Sequence, residues 1–169
     1  INRLDIKKML ADQKELDDKI LSNAGIEKYP LENIKLALLV ELGELANEWQ
    51  GFKHWKKHRE INREKLLEEF ADCLHFALSI ENYVMRHDLF YDQGTWNLEE
   101  GEKLQGIEKP TIDEIVEGFR ITFKSVLDLN YVLQHVLALG LCLDIKLKDM
   151  EWAYYKKNAV NYRRQEEGY

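Results

Sequence analysis

The sequence predicts an all-α protein that forms a single helical bundle. Long segments repeat their apolar residues with the 3.6-residue period of an amphipathic helix, and the chain contains only two prolines. Apolar and polar residues do not alternate as in a β-strand over more than a few residues. The 169 residues show no composition shift that would divide them, and they are enough for one domain with a sizeable core. We therefore expect one domain over residues 1–169.

Start and stop signals bound the first three predicted helices. The first is expected over about residues 4–22, where apolar residues form one stripe and a following asparagine and glycine end the helix. The second is expected over about 30–51, because a proline suits the first turn of a helix and a glycine suits its end. A basic, aromatic connector then leads to the third helix, predicted over about 61–86.

The second half of the chain begins with a loop or insertion. Residues 87–110 are acidic, contain glycine and show no helical period, so they are the best loop candidate. Thr111 and Glu114 form a capping-box pattern that predicts the start of a fourth helix. We expect this helix to continue to about Leu139, with the glycine that follows as its break, and a last helix over about 148–164.

Charge and composition argue against several classes of protein. The net charge of −7 at pH 7 argues against binding to a nucleic acid polymer, because proteins that bind one present a positive face. No apolar run approaches the ~20 residues of a membrane span, and the polar first residues do not have the pattern of a signal peptide. Cys73 and Cys142 lie in apolar helical sequence and are expected to be reduced. We expect a cytoplasmic protein without membrane contact.

Two pairs of acidic residues are the strongest functional signal. Glu41 and Glu44 are three residues apart in the second helix, as are Glu69 and Asp72 in the third, so each pair projects from one helix face. Four carboxylates brought together would repel one another, and a hard divalent cation removes that penalty. Mg²⁺ is the common choice where phosphates are the substrate. The alternative is that both pairs lie on solvated surfaces.

Basic and amide side chains supply candidates for contacts with a nucleotide. The candidates for phosphate come from the connector and from the last helix, and they are Lys56, Lys157, Asn158, Asn161 and Arg164. Gln13 and Asp17 share a face of the first helix, where an amide can read the edge of a base. The simpler interpretations are a solvated first helix and a basic last turn that complements the helix dipole.

Taken together, these motifs resemble the dimeric dUTPases. That family belongs to the all-α nucleoside triphosphate pyrophosphohydrolase (MazG-like) superfamily, in which one acidic pair, Glu-x-x-Glu, precedes a second, Glu-x-x-Asp. The chain is short and is similar to a bacterial or bacteriophage member. The segments that carry the resemblance, besides the first acidic pair, are Gln13-x-x-Leu16-Asp17, Phe52-Lys53-x-Trp55-Lys56, Glu69-x-x-Asp72-x-x-His75-Phe76 and the closing run from Lys157 to Tyr169.

The resemblance implies an enzyme that hydrolyses dUTP, and also dUDP, in a Mg²⁺-dependent reaction and as a homodimer. Glu41 or Glu44 would orient or deprotonate the attacking water. The implied metal ligands are Glu41, Glu44, Glu69 and Asp72. The implied substrate-binding residues, with Gln13 facing the uracil, are Gln13, Asp17, Lys56, Phe76, Lys157, Asn158, Asn161 and Arg164. Asp17 is a departure, because many relatives carry Asn there and an ionised acid only accepts hydrogen bonds.

Alternative functions stay open at this point. The same metal motif would serve a pyrophosphohydrolase for another nucleotide, such as dCTP or a nucleotide with a damaged base. A protein of a different class would be a non-catalytic helical interaction protein whose acidic pairs are only surface. A mixed case is an enzyme that also binds a regulatory protein through residues 87–110.

Overall fold

The protein is an all-α bundle, as the sequence predicts. A computed structural model describes residues 4–87, 89 and 109–169, and within these ranges it contains six α-helices and no strand. The helices are α1 (Ile6–Asn23), α2 (Leu31–Trp49), α3 (Arg63–Arg86), α4 (Ile112–Asp128), α5 (Val132–Cys142) and α6 (Leu147–Glu166). None of the described helices is long and apolar enough to cross a membrane.

Helix α3 is the central element of the bundle. It packs against α1, α2, α5 and α6, whereas α4 packs against α2 and α5. Apolar side chains at helical spacing along α3, such as Leu66, Phe70 and Leu78, are fully buried. Burial of this kind supplies the main stabilisation of a small helical domain. The side chains of α3 that stay partly exposed therefore lie close to α1, α2 and α6.

Most of the predicted boundaries agree with the structure to within a few residues. Asn62 caps α3 by accepting a hydrogen bond from the Lys65 amide at 3.1 Å. The capping box predicted at the start of the fourth helix is present: Thr111 accepts from the Glu114 amide at 3.2 Å, and the Glu114 carboxylate accepts from the Thr111 amide at 2.7 Å. Gln50 is the C-cap of α2, and its φ of 63° places it in the left-handed region.

The prediction of one helix over residues 111–139 is wrong. The chain leaves the helix at Leu129 and Tyr131, which have φ values of 53° and 51°, so α4 and α5 are separate helices that pack against each other. The predicted break at Gly140 is also wrong, since this glycine lies inside α5. A Cβ atom at Gly140 would lie 2.5 Å from Cε2 of Phe70. The glycine is therefore explained by the close approach of α5 to α3.

The predicted loop or insertion at 87–110 lies almost entirely outside the described residues, which there include only residues 87, 89, 109 and 110. Both cysteines are free, with Cys73 buried and Cys142 half-buried. Burial raises the pKa of the Cys73 thiol well above its usual value. Cys73 therefore behaves as a small apolar residue of the core.

Candidate active site

Helices α1, α2, α3 and α6 line a cavity of about 360 Å³. Carboxylates from α2 and α3 form one part of its wall, and a polar network centred on α1 forms another. The apolar part of the lining includes Leu16, Ile20 and Phe76. A cavity of this size, with an apolar wall and a few convergent polar groups, has the usual features of a small-molecule site.

The acidic cluster consists of Glu41, Glu44, Glu69 and Asp72. One carboxylate oxygen from each of Glu41, Glu69 and Asp72 lies within 4.8 Å of the other two. The charge of Glu44 acts on the pKa of Glu69, so the fourth acid lies close to the other three. The spacing of three residues within each pair explains the arrangement, because it places both acids of a pair on the same face of its helix.

Burial and mutual repulsion both act on the acidic cluster. Burial, followed by the charges of Asp72, Glu44 and Glu69, raises the pKa of Glu41 to about 7. Burial, together with the charges of Glu44 and Asp72, raises the pKa of Glu69 to about 7. The cluster therefore holds more negative charge than its surroundings compensate. Its ligand atoms are all carboxylate oxygens, which suit a hard divalent cation, so these residues fit a bound metal ion.

Lys157 links α6 to the acidic cluster. Its Nζ atom donates a hydrogen bond to Oδ2 of Asp72 at 2.8 Å, and both side chains are largely buried, with exposed fractions of 14 % and 18 %. Burial raises the pKa of Asp72, while the hydrogen bond and charge of Lys157 oppose that rise. Asn161 and Arg164 line the same cavity from later turns of α6. Basic and amide side chains of α6 thus line the cavity next to the acidic cluster.

A network of hydrogen bonds orients the polar side chains of α1. The Tyr154 hydroxyl donates to Oε1 of Gln13 at 3.2 Å, and Nε2 of Gln13 donates to Oδ1 of Asp17 at 2.8 Å. Tyr154 is fully buried and Gln13 is 3 % exposed. The Gln13 amide is therefore fixed in one orientation, with its carbonyl towards Tyr154 and its nitrogen towards Asp17.

Asp17 lies beside a pair of hydroxyl groups. The Oγ atom of Ser79 on α3 lies 2.6 Å from the hydroxyl of Tyr29, with which it forms a hydrogen bond. Burial raises the pKa of Asp17 to about 6, although its polar neighbours Ser79 and Gln13 act in the opposite direction. All four side chains line the cavity.

His75 lies beside this network as a buried, neutral imidazole. Burial lowers its pKa to about 4. Its ring stacks on Tyr154, with 4.4 Å between the centroids, and its Nε2 atom is 3.3 Å from the Tyr154 carbonyl oxygen. The contact holds α3 against α6 where both line the cavity.

The structure brings most of the sequence-predicted site residues to one cavity. Those that line it or belong to the acidic cluster are Gln13, Asp17, Glu41, Glu44, Glu69, Asp72, Phe76, Lys157, Asn161 and Arg164. Asn158 does not line the cavity, and its Nδ2 atom is buried without a hydrogen-bond partner. Lys56 lies on the exposed connector, where its Nζ atom donates to Oε1 of Gln50 at 2.5 Å.

Sequence reasoning missed Tyr29, Ser79 and Tyr154 as parts of the site. Ser79 follows Asp72 by seven residues, which is two turns of α3, so the helical period offered a signal for it. Tyr29 lies between helices, and its contact with Ser79 joins segments 50 residues apart, which no local pattern reveals. In the sequence Tyr154 has the pattern of an ordinary core residue, and only the structure shows its hydrogen bond to Gln13.

A comparison with known protein families gives a match over nearly the whole chain. The model of a protein family described as dUTPase matches residues 5–169. The chain belongs to the dUTPase family. It is therefore a dUTP diphosphatase of the all-α type, as the resemblance implies. No curated protein matches the chain. The family match includes all six helices, and with them both acidic pairs and the network on α1.

Proposed function

We propose that the enzyme hydrolyses dUTP to dUMP and pyrophosphate with Mg²⁺, and that it also cleaves dUDP. The observation that carries this proposal is the convergence of three carboxylates from α2 and α3 within 4.8 Å, on a cavity that Lys157 and Gln13 also line. Both nucleotides have a phosphoanhydride bond next to the α-phosphate, so the same site would serve either one. Membership of the dUTPase family supports the choice of the uracil nucleotide.

Glu41, Glu44, Glu69 and Asp72 are the proposed ligands of Mg²⁺. Their oxygen-only donor set and their uncompensated charge support this assignment. When bound, Mg²⁺ screens the phosphate charge and stabilises the charge that develops on the phosphoryl oxygens. Lys157 holds Asp72 in place and adds a positive charge beside the phosphates.

The hydrolysis needs a positioned water and a group that accepts its proton. We assign this role to Glu41 or Glu44, which lie one turn apart on α2 beside the other two acids. The water oxygen forms a bond to phosphorus in line with the anhydride oxygen, whose bond to phosphorus breaks. Pyrophosphate leaves with the electron pair, and the carboxylate accepts a proton from the water.

The remaining predicted residues divide between the two ends of the nucleotide. Asn161 and Arg164 line the cavity from the same helix as Lys157, and we assign all three to the phosphates. Gln13 faces the uracil, and Phe76 packs against it. Asn158 is assigned to the sugar or phosphates, since its buried Nδ2 atom lacks a partner. Lys56 could reach phosphate only after leaving its bond to Gln50.

We propose that the enzyme acts as a homodimer. Leu36 and Val40 of α2 are 62 % and 52 % exposed, and Gly43 continues the same stripe with nothing within 4 Å of an added Cβ atom. Exposed apolar stripes of this kind often mark an interface. Sedimentation velocity should show a dimer that Leu36→Glu dissociates and that Ile112→Glu, at an exposed residue of α4, leaves intact. A monomer at all concentrations would contradict the proposal.

We also propose that the protein is cytoplasmic and that residues 1–169 form a single domain. The two free cysteines support the location, because a reducing compartment keeps thiols unpaired. The family match over residues 5–169 supports the single domain. Cell fractionation with an antibody to the protein would test the first point, and limited proteolysis that separates two stable fragments would contradict the second.

A nucleotide panel tests the reaction. Product release is measured from dUTP, dUDP, dCTP, dTTP and UTP with Mg²⁺ and with a chelator. The same panel is run with Glu69→Gln and with the matched control Glu64→Gln, whose side chain is 80 % exposed on the first turn of α3. We expect preference for dUTP, loss of activity with the chelator, and at least about a hundredfold loss in kcat/KM for Glu69→Gln only. Equal activity of the two variants would contradict the metal assignment.

A further inference from the structure

The two halves of α6 are held in the bundle in different ways. The structure describes this helix throughout, and its buried residues are Leu147, Met150, Ala153 and Tyr154. The residues that we assign to the phosphates come later in the helix, at Lys157, Asn161 and Arg164. A helical segment without fully buried apolar side chains opens more easily than one inside the core. The position of the second half of α6 therefore depends largely on polar and aromatic contacts.

Helix α1 supplies such contacts along the second half of α6. The Tyr155 hydroxyl donates to Oδ2 of Asp12 at 2.7 Å and accepts from Nζ of Lys8 at 3.0 Å. Nearly two turns further on, Nζ of Lys19 lies 5.3 Å from the centroid of the Tyr162 ring, which is a cation–π contact. Both contacts join side chains that are partly exposed, so they act at the surface of the bundle.

A third contact joins the C-terminal ends of the two helices. Nδ2 of Asn23, the last residue of α1, donates to Oε1 of Gln165 at 3.0 Å. In all three contacts the residue on α6 follows its α1 partner by 142 or 143 positions. Helices α1 and α6 therefore run side by side in the same direction and keep one register, since both rise by about 1.5 Å per residue.

The contacts with α1 fix how α6 is rotated about its axis. Tyr162 directly follows Asn161, and Gln165 directly follows Arg164, so each contact residue is next in sequence to a residue that lines the cavity. One residue turns an α-helix by about 100°. The rotation that brings Tyr162 and Gln165 against α1 is therefore the one that places Asn161 and Arg164 on the cavity.

We propose that Lys19, Asn23 and Tyr162 are positioning residues, which hold the second half of α6 in the rotation that binding of the phosphates requires. The inference rests on the proposed function. All three are described residues, and none of them lines the cavity. They therefore act through Asn161 and Arg164 and do not touch the substrate.

The other support of this segment involves the acidic cluster. On the α3 side, Lys157 donates to Asp72 at 2.8 Å. Asp72 is also a proposed metal ligand, so its carboxylate serves two partners. The contacts with α1 involve none of the proposed metal ligands, and they can hold α6 in the same way with and without the ion. They are therefore the support that does not depend on the state of the site.

The test measures binding of two fragments of the substrate to the intact enzyme. Inorganic pyrophosphate represents the phosphate end and deoxyuridine the base and sugar, and each is titrated in a calorimeter with Mg²⁺ present. The disruptive variants are Lys19→Met, Asn23→Ala and Tyr162→Leu, and the conservative ones are Lys19→Arg and Tyr162→Phe. The matched control is Lys124→Met, which removes an exposed lysine that pairs with Asp128 inside α4.

We expect Lys19→Met and Tyr162→Leu to weaken pyrophosphate binding about two- to fivefold, which is the effect of a cation–π contact at an exposed site. Asn23→Ala should weaken it by about the same factor through loss of a neutral hydrogen bond. Lys19→Arg, Tyr162→Phe and Lys124→Met should bind pyrophosphate as the wild type does. Deoxyuridine binding should not change in any variant.

Two features separate positioning from other causes. Asn23→Ala and Tyr162→Leu leave the net charge unchanged, so weaker pyrophosphate binding in them does not come from a weaker electrostatic field. Hydrogen exchange gives a readout without ligand: the amides of residues 159–166 should exchange faster in Tyr162→Leu than in Tyr162→Phe. Equal exchange in these two variants would contradict the proposed support.

The remaining outcomes are equally decisive. Unchanged pyrophosphate binding in Asn23→Ala and Tyr162→Leu, with a wild type that binds it, would overturn the inference and leave the proposed function intact. Equal weakening of pyrophosphate and deoxyuridine would also overturn it, as a general defect in structure. If Tyr162→Leu does not fold, Lys19→Met and Asn23→Ala decide. A wild type that neither binds pyrophosphate nor hydrolyses dUTP would overturn the proposed function and the inference together.

Discussion

Two glycines in helices of this protein should respond differently to the same substitution. Gly43 lies inside α2 and Gly140 inside α5, so replacement by alanine gives each helix the same gain in intrinsic propensity. An added Cβ atom at Gly43 meets nothing within 4 Å. At Gly140 it would lie 2.5 Å from Cε2 of Phe70 and 2.7 Å from Cε of Met150.

The structure sets the expected magnitudes. Alanine is favoured over glycine in a helix interior by about 1 kcal/mol, so Gly43→Ala should raise the free energy of unfolding by about that amount. Phe70 is fully buried and cannot move aside freely, and overpacking of a core costs about 1–3 kcal/mol. Gly140→Ala should therefore be about 1–3 kcal/mol less stable than Gly43→Ala, since the propensity term cancels in the comparison.

Urea denaturation followed by circular dichroism at the helix band measures both free energies. The unfolding midpoints should move apart while the slopes stay equal. Two protein concentrations are needed, because Gly43 lies on the exposed stripe proposed for the dimer. If Gly140→Ala proves as stable as Gly43→Ala, α5 does not approach α3 as closely as described, and the account of the glycine is refuted.

Three further predictions concern Lys157, a buried histidine and a helix cap. Lys157→Met should lower kcat/KM for dUTP at least about tenfold, whereas Lys56→Met should change it less than about twofold, as steady-state assays with dUTP would show. The pKa of His75 is lowered from 6.5 to about 4, so its contribution to stability is present above pH 6.5 and is lost as the pH falls towards 4. This contribution is worth about 3 kcal/mol at most, and His75→Asn should remove that part of the pH dependence of unfolding. Thr111→Ala should lower the free energy of unfolding by about 1 kcal/mol, because α4 loses its capping box; an unchanged urea midpoint would contradict this.

The sequence predicted the helices where their signals are local. The capping box at Thr111 and Glu114 lies within one turn, and the structure confirms it. The break at Leu129 and Tyr131 gave no such signal, because neither residue is one that usually adopts positive φ. Helical periodicity alone therefore predicted one continuous helix across this break. The role of Gly140 also escaped prediction, since it depends on the aromatic ring of Phe70, 70 residues away in the chain.

The candidate site shows the same division between local and distant information. The acidic pairs could be predicted because their spacing matches the helical period. How close Glu41 lies to Glu69 and Asp72 depends on how α2 packs against α3, and only the structure shows that packing. Lys56 lies in the connector that follows the first acidic pair, yet its side chain bonds to Gln50.

The arrangement along α3 explains why one helix can organise the whole site. Glu69, Asp72, Phe76 and Ser79 follow one another at steps of three or four residues and so share one face of the helix. From the first to the last the helix rises about 15 Å at 1.5 Å per residue. Carboxylates lie at one end of this stripe, and the Ser79 hydroxyl, which bonds to Tyr29, lies at the other. Because α3 packs on four neighbouring helices, the separation between the two ends is fixed by the central element of the bundle. The phosphate contacts and the base contacts that we propose would therefore be held at a fixed distance from each other, so that a nucleotide could occupy both in one register.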